Sequence, residues 1–270
     1  MATSPHSLDL EALKAAQQQA WSSGDYRPLG AKMLPASESL CVAAGIRAGL
    51  RVLDVATGTG NAALAAARRG CEAVGLDFSP TQLDAARARA SSEALEVAFV
   101  EGDAESLPFP DASFDAALSV FGAMFAPDQH RVARELLRVC RPGGTIAMAN
   151  WTPALASFFG IVAKYAPPPA GIDSPLVWGT REGLDELFSE GVSELRAEPR
   201  SITEYYASPA AFADFYCTTF GPIVAVLEGL DDGAAASLRS DLTDLGELHR
   251  LGDGVAASFE YLEVVAQKAS

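Results

Sequence analysis

Between Arg51 and Ser119 short apolar runs alternate with alanine-rich stretches of helical period, and a glycine turn closes the first run. Parallel strands cannot be joined by a tight hairpin, so such alternation commits the chain to crossover helices laid on a parallel sheet. The first strand reads RVLDVA (51–56), and the helix after it stops at Gly70. The second, EAVGLD, ends at Asp77, where Ser79, Pro80 and Gln82 supply an N-cap, a first-turn proline and a capping-box partner for a helix over 80–90. A third strand, VAFVEGD, precedes a loop with two prolines and a fourth, FDAALSV. A helix over 129–139 then meets Arg141, Pro142, Gly143 and Gly144, which cannot extend it, before a fifth strand, TIAMANW.

Past Trp151 the alternation is lost. A helix capped by Thr180 is expected over 178–190, and LRAEPRSITEYY reads as a strand interrupted by Pro199. Helices follow over 209–220 and 233–249, then a last strand over 259–266. Ahead of the first strand, 8–21 and 29–46 have helical character and are placed to form a lid. The expected organisation is an N-terminal helical lid over 1–46 and a main domain over 47–270 with helical cap insertions between about 152 and 250.

Composition narrows the partners. Twenty basic against 35 acidic residues give a net charge of -15, a field that repels a phosphate backbone and argues against nucleic acid. Cys41, Cys71, Cys140 and Cys217 lie in separate segments, which suggests buried thiols rather than a metal site or a disulfide framework. No apolar stretch reaches the ~20 residues needed to span a bilayer, and the N-terminus lacks a secretory pattern, so a cytoplasmic location is expected. A homodimer is compatible with the sequence.

Ligands of open α/β sheets bind beyond the carboxyl ends of the strands, which selects residues 56–60, Asp77, Asp103 and Ser119. Glycine at 58 and 60 admits close backbone approach, and a carboxylate closing the second strand can accept from two ribose hydroxyls. Gly58, Gly60 and Ala63 followed by Asp77 also satisfy a dinucleotide fingerprint, so at this point two nucleotide cofactors fit.

Three ordered motifs then resemble the class I S-adenosylmethionine-dependent methyltransferases over about 52–151: Asp54, Ala56, Gly58 and Gly60 in the family's acidic glycine pattern, with Ala56 in place of its first glycine; Gly102-Asp103-Ala104 followed by LPFPDASFDAALS; and LLRVCRPGGTIAMANW. No Tyr-x-x-x-Lys pair is present, against short-chain dehydrogenase chemistry. Length, the VATGTG turn and the late YLEVVA strand look most like the branch with the ubiquinone and menaquinone C-methyltransferases and small-molecule tailoring enzymes.

The resemblance implies a Rossmann-like, seven-stranded, mostly parallel sheet with its last strand antiparallel, and S-adenosyl-L-methionine as cofactor, leaving as S-adenosyl-L-homocysteine. It implies that Asp54 supports the turn, that Ala56, Thr57, Gly58, Gly60 and Ser119 face the methionine end, that Asp77 takes the ribose, and that Phe78, Asp103 and Ala104 enclose the adenine. The expected reaction is methyl transfer to C, O or N of a small, apolar or aromatic acceptor. The alternative is a fold relative that keeps the cofactor as a structural ligand for a rearrangement or cyclisation. A nucleic-acid methyltransferase would carry an Asn-Pro-Pro-Tyr type element where this chain reads SVFGAM.

An activated sulfonium needs alignment more than a dedicated catalytic side chain. His130 is the candidate base, and Tyr26, Phe121, Trp151 and Tyr206 are the candidate acceptor walls, with Tyr26 in an inter-helix loop as the lid residue. No metal is expected.

Overall fold

The structure is a computed structural model and describes residues 10–270. His6 and the start of the helix expected over 8–21 lie outside the described residues. Eight strands build one sheet: β1 (Arg51–Val55), β2 (Glu72–Asp77), β3 (Val97–Glu101), β4 (Phe114–Val120), β5 (Cys140–Trp151), β6 (Val192–Tyr206), β7 (Arg250–Leu251) and β8 (Gly254–Lys268). Their order is β3-β2-β1-β4-β5-β8-β6, with β7 paired to β8. β1 to β5 are mutually parallel and β8 is antiparallel to both β5 and β6. The expected seven-stranded pattern is therefore present, with the two-residue β7 added as a hairpin arm through Gly252, whose φ is +61°.

Ten α-helices accompany the sheet in the described residues: α1 (Leu10–Ser22), α2 (Tyr26–Ala43), α3 (Asn61–Arg68), α4 (Pro80–Ser92), α5 (Gln129–Val139), α6 (Ala156–Tyr165), α7 (Arg181–Phe188), α8 (Pro209–Thr219), α9 (Gly221–Gly229) and α10 (Asp232–Glu247). Alternate residues of each central strand feed opposite cores. Val52, Leu118 and Ala147 pack with Leu40 and Ala66 from α2 and α3, while Leu53, Ala117 and Ile146 pack with Leu136 from α5. The four cysteines are free and buried, as expected from their scattered positions.

Four local expectations need correction. β6 runs through Pro199, which pairs with Leu262; an edge strand uses only half of its backbone donors in the ladder, so the missing N–H is tolerated. Tyr26 is not in a loop but is the first residue of α2, whose N-cap Asp25 accepts from Arg27 N–H at 3.1 Å. The α-helix expected over 178–190 is confined to α7, and Trp178 lies in a 3₁₀ turn ahead of the Thr180 cap. Two helices absent from the expected set, α6 and α9, are short and carry ASFFGIVAKY and GPIVAVLEG, apolar on most sides, which blurs helical periodicity.

The chain leaves β1 for β2 on one side and reaches β4 on the other, so a crevice opens at the carboxyl ends of β1 and β4. Two parts of the molecule overhang it. α1 crosses the tips of β2 and β3: Gln18 Nε2 donates to Phe78 O at 2.5 Å, Ser22 and Ser79 hydroxyls lie 2.9 Å apart, and Lys14 pairs with Asp103 at 2.7 Å. On the other side the β6–β8 ribbon continues beyond Trp151, where β5 ends, through the pairs Ile202–Phe259 and Glu204–Ala257.

Candidate active site

The glycine turn is held from beneath by Asp54, which is 2% exposed. Its Oδ2 accepts from Thr57 Oγ1 at 2.6 Å and from Ala63 N–H at 2.9 Å, so one carboxylate fastens strand end, turn and first turn of α3 together. Burial pushes the Asp54 carboxyl up to about 7, against the pull of those donors. The turn passes through left-handed backbone at Ala56 (φ +54°), Gly58 (φ +53°) and Gly60 (φ +87°). Ala56 thus stands where a glycine would be unstrained. Ala56→Gly is expected to stabilise the protein by about 0.5–1 kcal/mol in urea unfolding, as relief of left-handed strain outweighs the added freedom of the unfolded chain.

Asp77 closes β2 with its two oxygens divided between two loops: Oδ2 accepts from Gly58 N–H at 2.8 Å and Oδ1 from Ser79 N–H at 2.9 Å. Burial raises its carboxyl to about 6, opposed by these backbone donors. Each oxygen keeps lone-pair capacity for a further donor. Asp103, past β3, accepts Glu105 N–H at 2.8 Å and the Lys14 ammonium, which also contacts Glu105.

Asp54, Ala56, Thr57, Gly58, Asp77, Phe78, Asp103 and Ala104 all line one cavity, and Tyr26, Phe121 and Trp151 line it too. Its second half is aromatic. Phe121 stacks on Trp151 with centroids 3.7 Å apart and planes 5° from parallel, and Phe158 meets Tyr216 at 4.8 Å. Trp21 of α1 packs on Phe125 at 4.9 Å and on Phe220 at 5.6 Å, roofing the cavity from the lid side. The Tyr26 hydroxyl accepts Gly221 N–H at 2.7 Å and so ties α2 to the start of α9.

The other residues singled out from sequence lie elsewhere. Gly60 turns its α-carbon away from the cavity, where an added Cβ would sit 3.1 Å from Ala86 and 3.3 Å from Phe99. Ser119 is buried beneath the floor, its hydroxyl donating to Val55 O at 2.8 Å and accepting Ala123 N–H at 3.0 Å, so it joins β4 to β1 instead of facing a ligand. Tyr206 does not line the cavity; its ring lies under the Lys32 ammonium at 4.2 Å and its hydroxyl donates to Glu204. His130 is exposed, with Nε2 3.7 Å from Glu186 of α7, because the first turn of α5 points it outward. It cannot serve as a base in the cavity.

Sequence reasoning missed Lys14, Gln17 and Glu204 as wall residues. Glu204 had a legible signal: strand period puts it on the same face as Ile202 and Tyr206. Lys14 and Gln17 had none, since a helix ahead of the sheet declares its packing only once it is docked. Among the described residues no group of His, Cys, Asp or Glu could hold a metal ion, and no single helix is long and apolar enough to cross a membrane.

A family profile described as "Methyltransferase domain" matches residues 53–148, which runs from β1 into β5. Nearly the whole chain aligns with the uncharacterized protein Rv1403c of Mycobacterium tuberculosis, 37% identical over 267 residues that cover 96% of each chain. The demethylmenaquinone methyltransferase of Thermus thermophilus is 44% identical over 116 residues, 42% of this chain and 53% of that protein. The chain belongs to the class I S-adenosylmethionine-dependent methyltransferases. S-adenosyl-L-methionine is the cofactor of this methyltransferase. The same fold is seen in the YcgJ protein of Bacillus subtilis, at a TM-score of 0.60 and 23% identity over 87% of this chain and 99% of that one. Similarity to the demethylmenaquinone methyltransferase is confined to less than half of this methyltransferase and to about half of that protein.

Proposed function

We propose that this methyltransferase moves a methyl group to a small, planar, largely apolar acceptor held between the Phe121–Trp151 stack and the aromatic roof. The observation that carries this reading is the continuity of one cavity from acid-tipped strands to aromatic walls. The donor set suits the cofactor: two spare acceptor positions on Asp77 match a vicinal diol, and the backbone over Gly58 faces open space, where an added Cβ would meet nothing within 4 Å. Asp77 then holds the ribose hydroxyls, Asp103 with Ala104 and Phe78 borders the adenine, and Ala56, Thr57 and Gly58 face the methionine end. Asp54 keeps the turn in register. Bound there, the cofactor supplies a methyl group already activated on a sulfonium.

The protein's own task is to align and to exclude water. Aromatic faces around the transfer point favour a cation and keep water away from it. α1 closes the adenine side through Lys14 and Gln18 and serves as the lid. With net charge -15 and, among the described residues, Lys14 the one basic side chain lining the cavity, nothing favours a nucleic-acid acceptor.

Incubation with methyl-labelled S-adenosylmethionine and separate panels of phenols, aromatic amines, quinone precursors and oligonucleotides tests this. Label is expected in at least one aromatic small molecule and in no oligonucleotide. Transfer to oligonucleotide alone, or tight cofactor binding without turnover on any panel, contradicts it; the latter would favour the structural-ligand alternative.

A further inference from the structure

Among the described residues Glu204 is the one carboxylate that reaches the aromatic half of the cavity, and the pairing of β6 with β8 explains how it gets there. It follows Ile202 on the inward face of the ribbon beyond Trp151, opposite Ala257, whose small side chain leaves room for it. The residue is 2% exposed. Its two oxygens are treated differently. Oε2 accepts from the Tyr216 hydroxyl at 3.0 Å and from Tyr206, and lies 3.9 Å from the Lys32 ammonium. Oε1 is buried and has no hydrogen-bond partner. Leaving a buried acceptor unmade is costly, and a site that persists with such a vacancy is suited to a ligand that fills it.

The supporting cast fixes which ligand group fits. Two tyrosine hydroxyls and Lys32 hold charge on the carboxylate, so the site does not call for a cationic acceptor to neutralise it. What is missing is a neutral proton donor on a flat apolar body.

We propose that Glu204 Oε1 receives the hydroxyl proton of the methyl acceptor, which makes this chain an O-methyltransferase for hydroxylated aromatic molecules and Glu204 its catalytic base. The inference rests on the acceptor reading above and names the acceptor atom. In the step, the proton passes from the phenolic oxygen to Oε1 as that oxygen bonds to the methyl carbon. The S–CH₃ bond breaks with its electron pair going to sulfur, giving an aryl methyl ether and S-adenosylhomocysteine. The proton leaves Glu204 for solvent when the products depart. Burial raises the Glu204 carboxyl above its ordinary range, against Tyr206, Lys32 and Tyr216, which brings a base nearer to the acidity of a phenol.

Glutamine at this position gives a directional test. The two tyrosine hydroxyls keep the amide oxygen, so the NH₂ group replaces Oε1 and an acceptor becomes a donor. With S-adenosylhomocysteine bound, calorimetry on 2-naphthol and 2-methoxynaphthalene is expected to show the wild type preferring the phenol by about tenfold or more. In Glu204→Gln that preference should vanish while S-adenosylhomocysteine affinity stays within about threefold, the readout that shows the variant folded. Among phenols accepted in the transfer assay, the wild-type rate should fall on the acid side as Glu204 takes up a proton, and Glu204→Gln should lose that limb together with most of the rate.

A wild type that binds phenol and ether equally, or a Gln variant that keeps both the preference and the acid limb, overturns the role of Glu204 and leaves the cofactor assignment standing. Failure to bind S-adenosylhomocysteine at all would instead overturn the parent reading. Should Glu204→Gln not fold, the wild-type phenol-to-ether ratio alone decides.

Discussion

Asp77→Ala is expected to weaken S-adenosylhomocysteine binding by about a hundredfold or more. In the proposed role of Asp77, two charge-assisted hydrogen bonds to ribose hydroxyls are at stake, each worth about 1.5–3 kcal/mol when the acceptor is a buried carboxylate. The same side chain receives Gly58 N–H and Ser79 N–H, so its removal also frees the turn that faces the methionine end. pH offers an independent reading of this residue. Its carboxyl titrates at about 6 in the folded protein, above the ordinary 3.8, because it is buried. The stabilising contribution of this group is therefore fully present below about 3.8 and is lost as pH rises through about 6. Ligand hydroxyls donate to the ionised form and reverse that preference. Affinity should be full above pH 6 and should decline as pH falls through 6, with proton release on binding in that range, and Asp77→Ala should flatten the profile.

Trp151→Ala is expected to destabilise the protein strongly. The indole is 9% exposed, stacks on Phe121 and meets Tyr261 edge-on at 6.3 Å. Truncating such a side chain in a close-packed setting costs about 3–5 kcal/mol, which corresponds to roughly 10 °C in Tm for a chain of this length. The effect should reach the acceptor site specifically. Phe121 has φ +56°, a left-handed conformation that a bulky residue adopts only when its surroundings impose it. Its N–H bond to Ala149 O at 2.9 Å and the indole stack are what impose it here. Without the indole, Phe121 is expected to relax and the transfer rate to fall by more than tenfold, with S-adenosylhomocysteine affinity changed by less than about threefold. Differential scanning calorimetry, turnover and ligand titration on the same preparation check the three components. A variant with native Tm, or one that loses cofactor affinity in step with turnover, would show that Trp151 does not act through the acceptor wall.

The half of the cavity built by the glycine turn and the acidic strand tips was legible because its demands are local. Asp54, Gly58 and Asp77 must sit at strand tips, and strand tips are marked by turn residues and helix caps such as Ser79 and Pro80. The glycine turn was less uniform than its motif suggests: Gly60 spends its freedom on packing against Phe99, and Ser119 spends its hydroxyl on Val55 and Ala123. Both occupy motif positions and neither meets the cavity. The acceptor half was poorly legible for the opposite reason. Its walls come from α1, α2, α6, α8 and the β6–β8 ribbon, elements whose apolar surfaces face one another and so blur helical periodicity. His130 attracted notice as the histidine nearest a strand end, but a helix start settles only position along the chain, and its side chain turned outward toward Glu186. Strand period puts Glu204 on the face of Ile202 and Tyr206, but only the ribbon's overhang past Trp151 makes that face an inward one.

The measurement closest to the central claim is a calorimetric titration of S-adenosylhomocysteine into the intact protein and into a variant carrying Asp77→Ala with Asp103→Ala. The account predicts saturable heat at one equivalent for the intact protein and its loss in the double variant. Absence of heat with well-folded protein, or a double variant that binds as tightly as the parent, would contradict it.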